Sequence, residues 1–141
     1  MKIFKQISLL LISLSLFACA AKTVNSMEAQ NIELSQLQKE WQLVSIDGQL
    51  IPPEISSTLN VDMQAQATGK LACNNFFGTL ALKDNTLRIA PMGSTRMFCS
   101  EPMNAIEMVV ASVLNDWSEI KLAGSELTLS GKTHTLTYRA N

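Results

Sequence analysis

Ser94, Ser100 and His134 are the residue types of an activated nucleophile and its base, and Glu101, Glu107, Asp116 and Glu119 are the types that do paired acid–base work. A serine hydrolase needs its hydroxyl beside an imidazole that a carboxylate orients, and such groups meet in space whatever their order in the chain. Here the only imidazole is His134, set among threonines, and the chain has no Gly-x-Ser-x-Gly elbow. His-Glu-x-x-His and Cys-x-x-Cys are absent too. No Cys, Asp or Glu stands at ligand spacing from His134, so no metal site is expected. The four carboxylates flank one helical segment on the side read as solvated. The expectation is a protein that is not an enzyme. The chemistry that remains belongs to three cysteines, Cys19, Cys73 and Cys99.

Cys19 has a distinctive setting. Lys2 and Lys5 precede an apolar run from Ile7 to Phe17, and Leu16-Phe17-Ala18 leads into the cysteine. A charged start, a short apolar stretch and a small residue before the cut are the parts of a secretory signal. The run of about 11 residues is too short for a helix that needs about 20 to cross a bilayer. The stretch resembles a bacterial lipobox, in which the cysteine is diacylated and becomes the new N-terminus. Phe17 is bulkier than that motif usually carries. By the same resemblance, Ala20 rather than Asp after the cysteine implies a lipid anchor in the outer membrane, facing the periplasm. The competing reading is an ordinary signal cut at Ala18 or Ala20, with Cys19 incidental. Residues 1–18 are thus expected to be a signal peptide and 19–33 a flexible tether, since Ala20–Asn31 is small, polar and without period.

Removing residues 1–18 takes away two lysines and no acid, which leaves 9 basic and 12 acidic residues, a net charge of −3. That chain is long enough for one domain. It has no basic stripe, so nucleic acid is not an expected partner. With Cys19 taken by lipid, Cys73 and Cys99 remain. In an oxidising periplasm two leftover thiols in a small exported domain are expected to pair. Closing a loop of about 25 residues contributes roughly 3–4 kcal/mol by chain entropy. The alternative is a pair of buried free thiols.

The elements that must position these residues follow from period and punctuation. Leu34–Glu40 is a short leader with room for a helical turn. Trp41–Ile46 is rich in β formers and stops at Asp47-Gly48. Leu59, Val61 and Met63 alternate with polar residues, so a half-buried strand is expected there. Gly69 breaks the run, Asn74-Asn75 makes a turn or bulge, and Phe76–Leu82 resumes as a strand. Asp84-Asn85 turns into Thr86–Ile89. Ser100 stands as N-cap, with Glu101 and Pro102 in the first turn. Met103, Ile106, Val110, Val113 and Trp117 then form one apolar stripe. Glu119–Leu122, Leu127–Leu129 and Thr135–Tyr138, joined at Gly124-Ser125 and Gly131-Lys132, read as a β-meander. The predicted class is α+β: a strongly curved antiparallel sheet or open barrel of about seven or eight short strands with one helix packed on it.

Two blocks stand out, Cys73-Asn74-Asn75-Phe76-Phe77-Gly78 and Met92-Gly93-Ser94-Thr95-Arg96-Met97-Phe98-Cys99. With Trp41-Gln42-Leu43 before them and the meander after, they resemble the META domain of HslJ-like heat-shock lipoproteins. The resemblance runs from Glu40 to Arg139, and the domain is expected over 34–141. Ala72 stands where the family usually has glycine. The resemblance implies a small α+β domain without cofactor, an envelope location, an association with heat or antibiotic stress, and no catalytic residue to carry over.

Read as residues, Asn74 and Asn75 have amides suited to tying down backbone near a turn, with ligand contact as the alternative. Phe76 and Phe77 face opposite sides of a strand. One belongs to the core, and the other is expected under the helix rather than bare for a partner. Thr95 and Arg96 lie in an irregular stretch. The Arg96 guanidinium either satisfies local groups or grips a carboxylate of a ligand or partner. Met92, Met97 and Met103 read as core filler. These readings point to a monomeric envelope lipoprotein that binds a protein or envelope component. The other readings are a carrier or sensor of a small hydrophobic ligand, and an accessory part of a surface assembly.

Overall fold

Trp41, Leu43 and Ser45 point to one side of the first strand and are buried, while Gln42, Val44 and Ile46 between them are half-exposed. That alternation is what a strand produces when one face meets a core. In the computed structural model, which describes residues 31–141, it belongs to β1 (Glu40–Ile46). The segment expected to be a signal peptide, Cys19 and most of the expected tether lie outside the described residues.

The strands are β1, β2 (Gln49–Leu50), β3 (Thr58–Val61), β4 (Gln66–Lys70), β5 (Asn75–Lys83), β6 (Thr86–Ser94), β7 (Ser118–Ala123), β8 (Glu126–Ser130) and β9 (Thr135–Ala140). Each pairs antiparallel with its neighbours, in the order β2-β1-β3-β4-β5-β6-β7-β8-β9. β9 then pairs with β1, setting Leu43 opposite Tyr138 and Ile46 opposite Leu136. The curved sheet therefore closes into an eight-stranded barrel, with the two-residue β2 as an extra strand on β1. Eight strands leave an interior just wide enough for side chains to fill. Trp41, Leu43, Leu59, Leu87, Ile89, Leu127, Leu129, Leu136 and Tyr138 fill it, each at most 1% exposed.

Left-handed residues turn the hairpins. Asp47 and Gly48 (φ 52° and 78°) join β1 to β2, and Asp84 and Asn85 (φ 49° and 56°) join β5 to β6. Two successive positive φ values match the right-handed twist of the flanking strands. The leader forms one turn, α1 (Leu34–Leu37), whose Leu37 carbonyl accepts the Trp41 indole N–H at 3.0 Å.

The barrel has one thin seam. β6 and β7 pair only through Thr86–Glu119 and Leu87–Ser118. The chain between them is α2 (Glu101–Asn115), which packs against β6 and contributes Val110, Val113 and Leu114 to the core. Ser100 holds the N-cap position, but its hydroxyl makes no capping bond. Of the predicted stripe, Met103, Ile106 and Trp117 are only half-buried, and Leu114 joins the core instead. Trp117 lies past the helix with the Arg88 guanidinium 4.7 Å above its ring.

Two strand boundaries differ from expectation. Gly69 does not interrupt a strand but lies inside β4, opposite Leu59 and Phe76. A Cβ there would sit 2.0 Å from the Thr58 carbonyl oxygen, so glycine permits the close approach of two backbones. The strand expected to reach Met63 stops at Val61, because the Asp62 carboxylate accepts the N–H groups of Gln64 and Gln66 at 2.9 and 2.8 Å. That local bond diverts the backbone from the ladder and leaves Met63 exposed.

Candidate functional site

At the end of β5 opposite the Asp84-Asn85 turn, two irregular segments meet the first half of α2. One is residues 71–74; the other is residues 95–99. Asn74, only 5% exposed, joins all three. Its Oδ1 accepts the Met97 N–H at 2.6 Å and the Thr95 hydroxyl at 2.8 Å. Its Nδ2 donates to Glu107 Oε1 at 2.8 Å and lies 3.6 Å from Cys99 Sγ. Glu107 Oε2 in turn accepts the N–H groups of Cys73 and Asn74 at 3.2 and 2.8 Å. Thr95 Oγ1 also accepts the Asn75 N–H at 3.1 Å, and the Thr95 N–H donates to the Asn75 carbonyl. The irregular backbone thus finds its partners in side chains, as buried polar groups must.

Cys73 and Cys99 are disulfide-bonded across the same two segments, with Cα atoms 6.1 Å apart. The two sequence blocks are therefore one object in space. An amide, a carboxylate and a disulfide hold it in place of a strand ladder. Both cysteines and Glu107 are half-buried, and the two sulfurs and a Glu107 oxygen lie within 4.8 Å of one another.

Sequence reasoning placed Glu107 on the solvated side of the helix, and the structure reverses this. Glu107 lies four residues after Met103 and three before Val110, so it shares their face. The signal was in that spacing, but a carboxylate on an apolar face only makes sense once Cys73 and Asn74 present their N–H groups to it. Of the two adjacent phenylalanines, Phe76 is the one in the core. Phe77, expected under the helix, is instead 63% exposed on the outer face of the barrel. Its ring covers Gly93 on β6, where a Cβ would fall 2.5 Å from Phe77 Cζ. Met92 packs against the core, whereas Met97 is exposed. Arg96 is exposed and forms no ion pair among the described residues. Beside it Phe98 is fully exposed, at 106% of its reference area.

His134 sits in the β8–β9 turn, where its Nδ1 lies 2.7 Å from Asp47 Oδ2. The Thr135 N–H donates to Asp47 Oδ1 at 2.8 Å. The His134 hydrogen bond, then that of Thr135, holds the Asp47 carboxyl below its ordinary pKa. Among the described residues His134 bonds no serine, so Ser94 and Ser100 gain no base from it. Tyr138 is wholly buried, which pushes its phenol well above the usual range, and its hydroxyl has no partner among the described residues. A separate open groove of about 530 Å³ lies outside the barrel, between β1 and the loop after β2, lined by Leu50, Ile51, Pro52, Pro53 and Arg139 among others.

A closed eight-stranded antiparallel barrel, one helix packed against β6 and a disulfide-stapled Asn-Glu hub define a small α+β module. The chain belongs to the META domain family, whose model matches residues 30–141. It is 30% identical over 89 residues to the heat shock protein HslJ of Escherichia coli (strain K12), a match covering 62% of this chain and 60% of that protein. The aligned region thus spans less than two thirds of HslJ. A protein structure solved by NMR matches with a TM-score of 0.68 and 24% identity, over 77% of this chain and 95% of that one. A second, from Burkholderia xenovorans, matches with a TM-score of 0.63 and 25% identity, over 77% and 86%. These two likenesses bear on the fold, and the family assignment rests on the sequence match.

Proposed function

We propose that this protein is a non-enzymatic lipoprotein of the bacterial envelope, linked to heat or antibiotic stress, that binds a protein or envelope component through the segment carrying Phe98. The supporting observation is the bare Phe98 ring, next to exposed Met97, on a backbone anchored one residue earlier by the Met97 N–H bond to Asn74 and one residue later by the Cys73–Cys99 bond. An aromatic side chain presented on ordered backbone contributes apolar area to a complex at little further entropic cost. The heat-shock link is drawn from the name of the HslJ relative. The anchor is drawn from Leu16-Phe17-Ala18-Cys19, which would place the chain on the outer membrane, facing the periplasm.

The test is crosslinking of the lipidated protein in its own envelope, with a photo-reactive residue at position 98. Specific adducts that disappear when the probe is moved to exposed Met63 support the reading. A ladder of adducts no different from that of the Met63 probe sinks it. Release from the membrane fraction in Cys19→Ala checks the anchor, and retention of that variant would overturn it.

A second reading, a carrier of a small hydrophobic molecule, is favoured by the groove at Pro52 and Pro53 with Arg139 on its wall. It ranks lower because that groove is open, whereas carriers bury most of their ligand. Native mass spectrometry of protein taken directly from the envelope distinguishes the two by the presence or absence of a bound small molecule.

A further inference from the structure

The oxidised chain spends two of the three donor atoms in the hub on each other. A dithiol reductant changes that. It loses two electrons and two protons as its own sulfurs pair, and the Cys73–Cys99 bond becomes two thiols. We infer that the reduced chain binds one Zn²⁺ ion through Cys73 Sγ, Cys99 Sγ and Glu107, the two thiol protons passing to solvent as the metal enters.

Three features carry the assignment. First, the sulfurs and a Glu107 oxygen already lie within 4.8 Å of one another. Tetrahedral zinc, with Zn–S bonds of about 2.3 Å and Zn–O bonds of about 2.0 Å, needs its sulfurs about 3.8 Å apart and its oxygen about 3.5 Å from each. Separating two sulfurs whose Cα atoms are 6.1 Å apart to that degree takes only side-chain rotation. Second, the carboxylate is held from behind. Glu107 Oε2 accepts two backbone N–H bonds, neither of which involves a sulfur. Among the described residues Oε1 is held only by the Asn74 side-chain amide, a partner it can exchange for a metal. Outer hydrogen bonds of this kind orient a ligand and raise affinity. Third, all three residues are half-buried, so an ion can enter and a fourth position stays open to water. Two thiolates with one carboxylate suit zinc, whereas magnesium and calcium require oxygen shells.

The site is gated by redox state, because its sulfurs coordinate only when they are not bonded together. Zinc would then hold residues 71–74 to residues 95–99 in a chain that has not been oxidised, or has been reduced again. Spacing in the sequence gives no hint of it, because the third ligand comes from α2 rather than from near His134.

The test uses the mature protein, reduced without oxygen and freed of reductant. Titration with Co²⁺ should give a thiolate-to-cobalt charge-transfer band and the visible bands of a tetrahedral site. These should saturate at one equivalent and be displaced by Zn²⁺. The disulfide form should give none of this. Glu107→Gln should weaken zinc binding about tenfold or more, and Cys73→Ser should abolish the band. Because Glu107→Gln also loosens the hub, the unaltered chain supplies a second reading: Zn²⁺ should raise the Tm of the reduced form and leave that of the oxidised form unchanged. Absence of the band at about a tenfold excess of Co²⁺, an equal response from the disulfide form, or unaltered affinity in a folded Glu107→Gln protein would each overturn the inference.

Discussion

Inside the barrel, Trp41, Leu59, Leu87, Leu129 and Leu136 are fully buried among other apolar side chains, and ladders pair the backbone groups of their strands. At the hub the ladders have ended. Asn74 makes its bonds to Met97, Thr95 and Glu107, and Glu107 returns bonds to Cys73 and Asn74. The interior is held by many weak, non-directional contacts, so its energy scales with area. The hub is held by a few directional bonds, so it depends on each partner being present. One small domain therefore contains a region that tolerates shape-conserving exchange and a region that tolerates hardly any.

This contrast can be broken by mutation, and the largest effect belongs to the interior. Trp41→Ala should destabilise by about 3–5 kcal/mol in denaturant unfolding, through a cavity and the lost indole bond to Leu37. Removing the staple comes next. Cys99→Ser should cost roughly 3–4 kcal/mol relative to the oxidised protein, and the reduced wild type should lose a similar amount. Asn74→Ala should cost about 1–3 kcal/mol, by leaving Met97 N–H and the Glu107 carboxylate short of a partner. A loss in Asn74→Ala larger than in Trp41→Ala would mean that the hub, not the interior, nucleates stability.

The smaller effects sharpen the comparison at the surface. The folded pKa of Asp47 lies below its ordinary value, chiefly through the His134 hydrogen bond. Its stabilisation is therefore complete above the ordinary carboxylate pKa of about 3.9 and is lost as pH falls through the lower folded value. A Tm series taken downward from about pH 5 should show an acid-side fall that is shallower in Asp47→Asn. The least effect on stability is expected from Phe98→Ala, within about 0.5 kcal/mol, since the ring touches solvent. The same variant, with the photo-reactive residue moved to exposed Met97, should give fewer specific crosslinks than the chain that keeps Phe98, which separates a binding surface from a structural one.

Much of the barrel could be read from local pattern. Trp41–Ile46, Phe76–Leu82 and the terminal meander announced themselves by alternation, and Asp47-Gly48 and Asp84-Asn85 by turn chemistry, because these signals act over two to seven residues. Local pattern marks the nine-residue β6 only as far as Ile89, since Met92 to Ser94 carry no alternation and are held by pairing to β5. Phe77 and Glu107 were both misplaced for one reason. A residue's type states what it prefers to touch, but not which neighbour the fold brings to it.

By itself the sequence determined the α+β class, most strand and turn positions, the helix with its proline-bearing first turn, and the family. All of these depend on short-range periodicity or on residue identity in order. The tertiary structure alone decided that β9 closes on β1, that Phe77 lies bare over Gly93, and that Glu107 turns inward to Cys73 and Asn74. Those outcomes join residues up to about a hundred positions apart, and such contacts form only after the loops between them have closed.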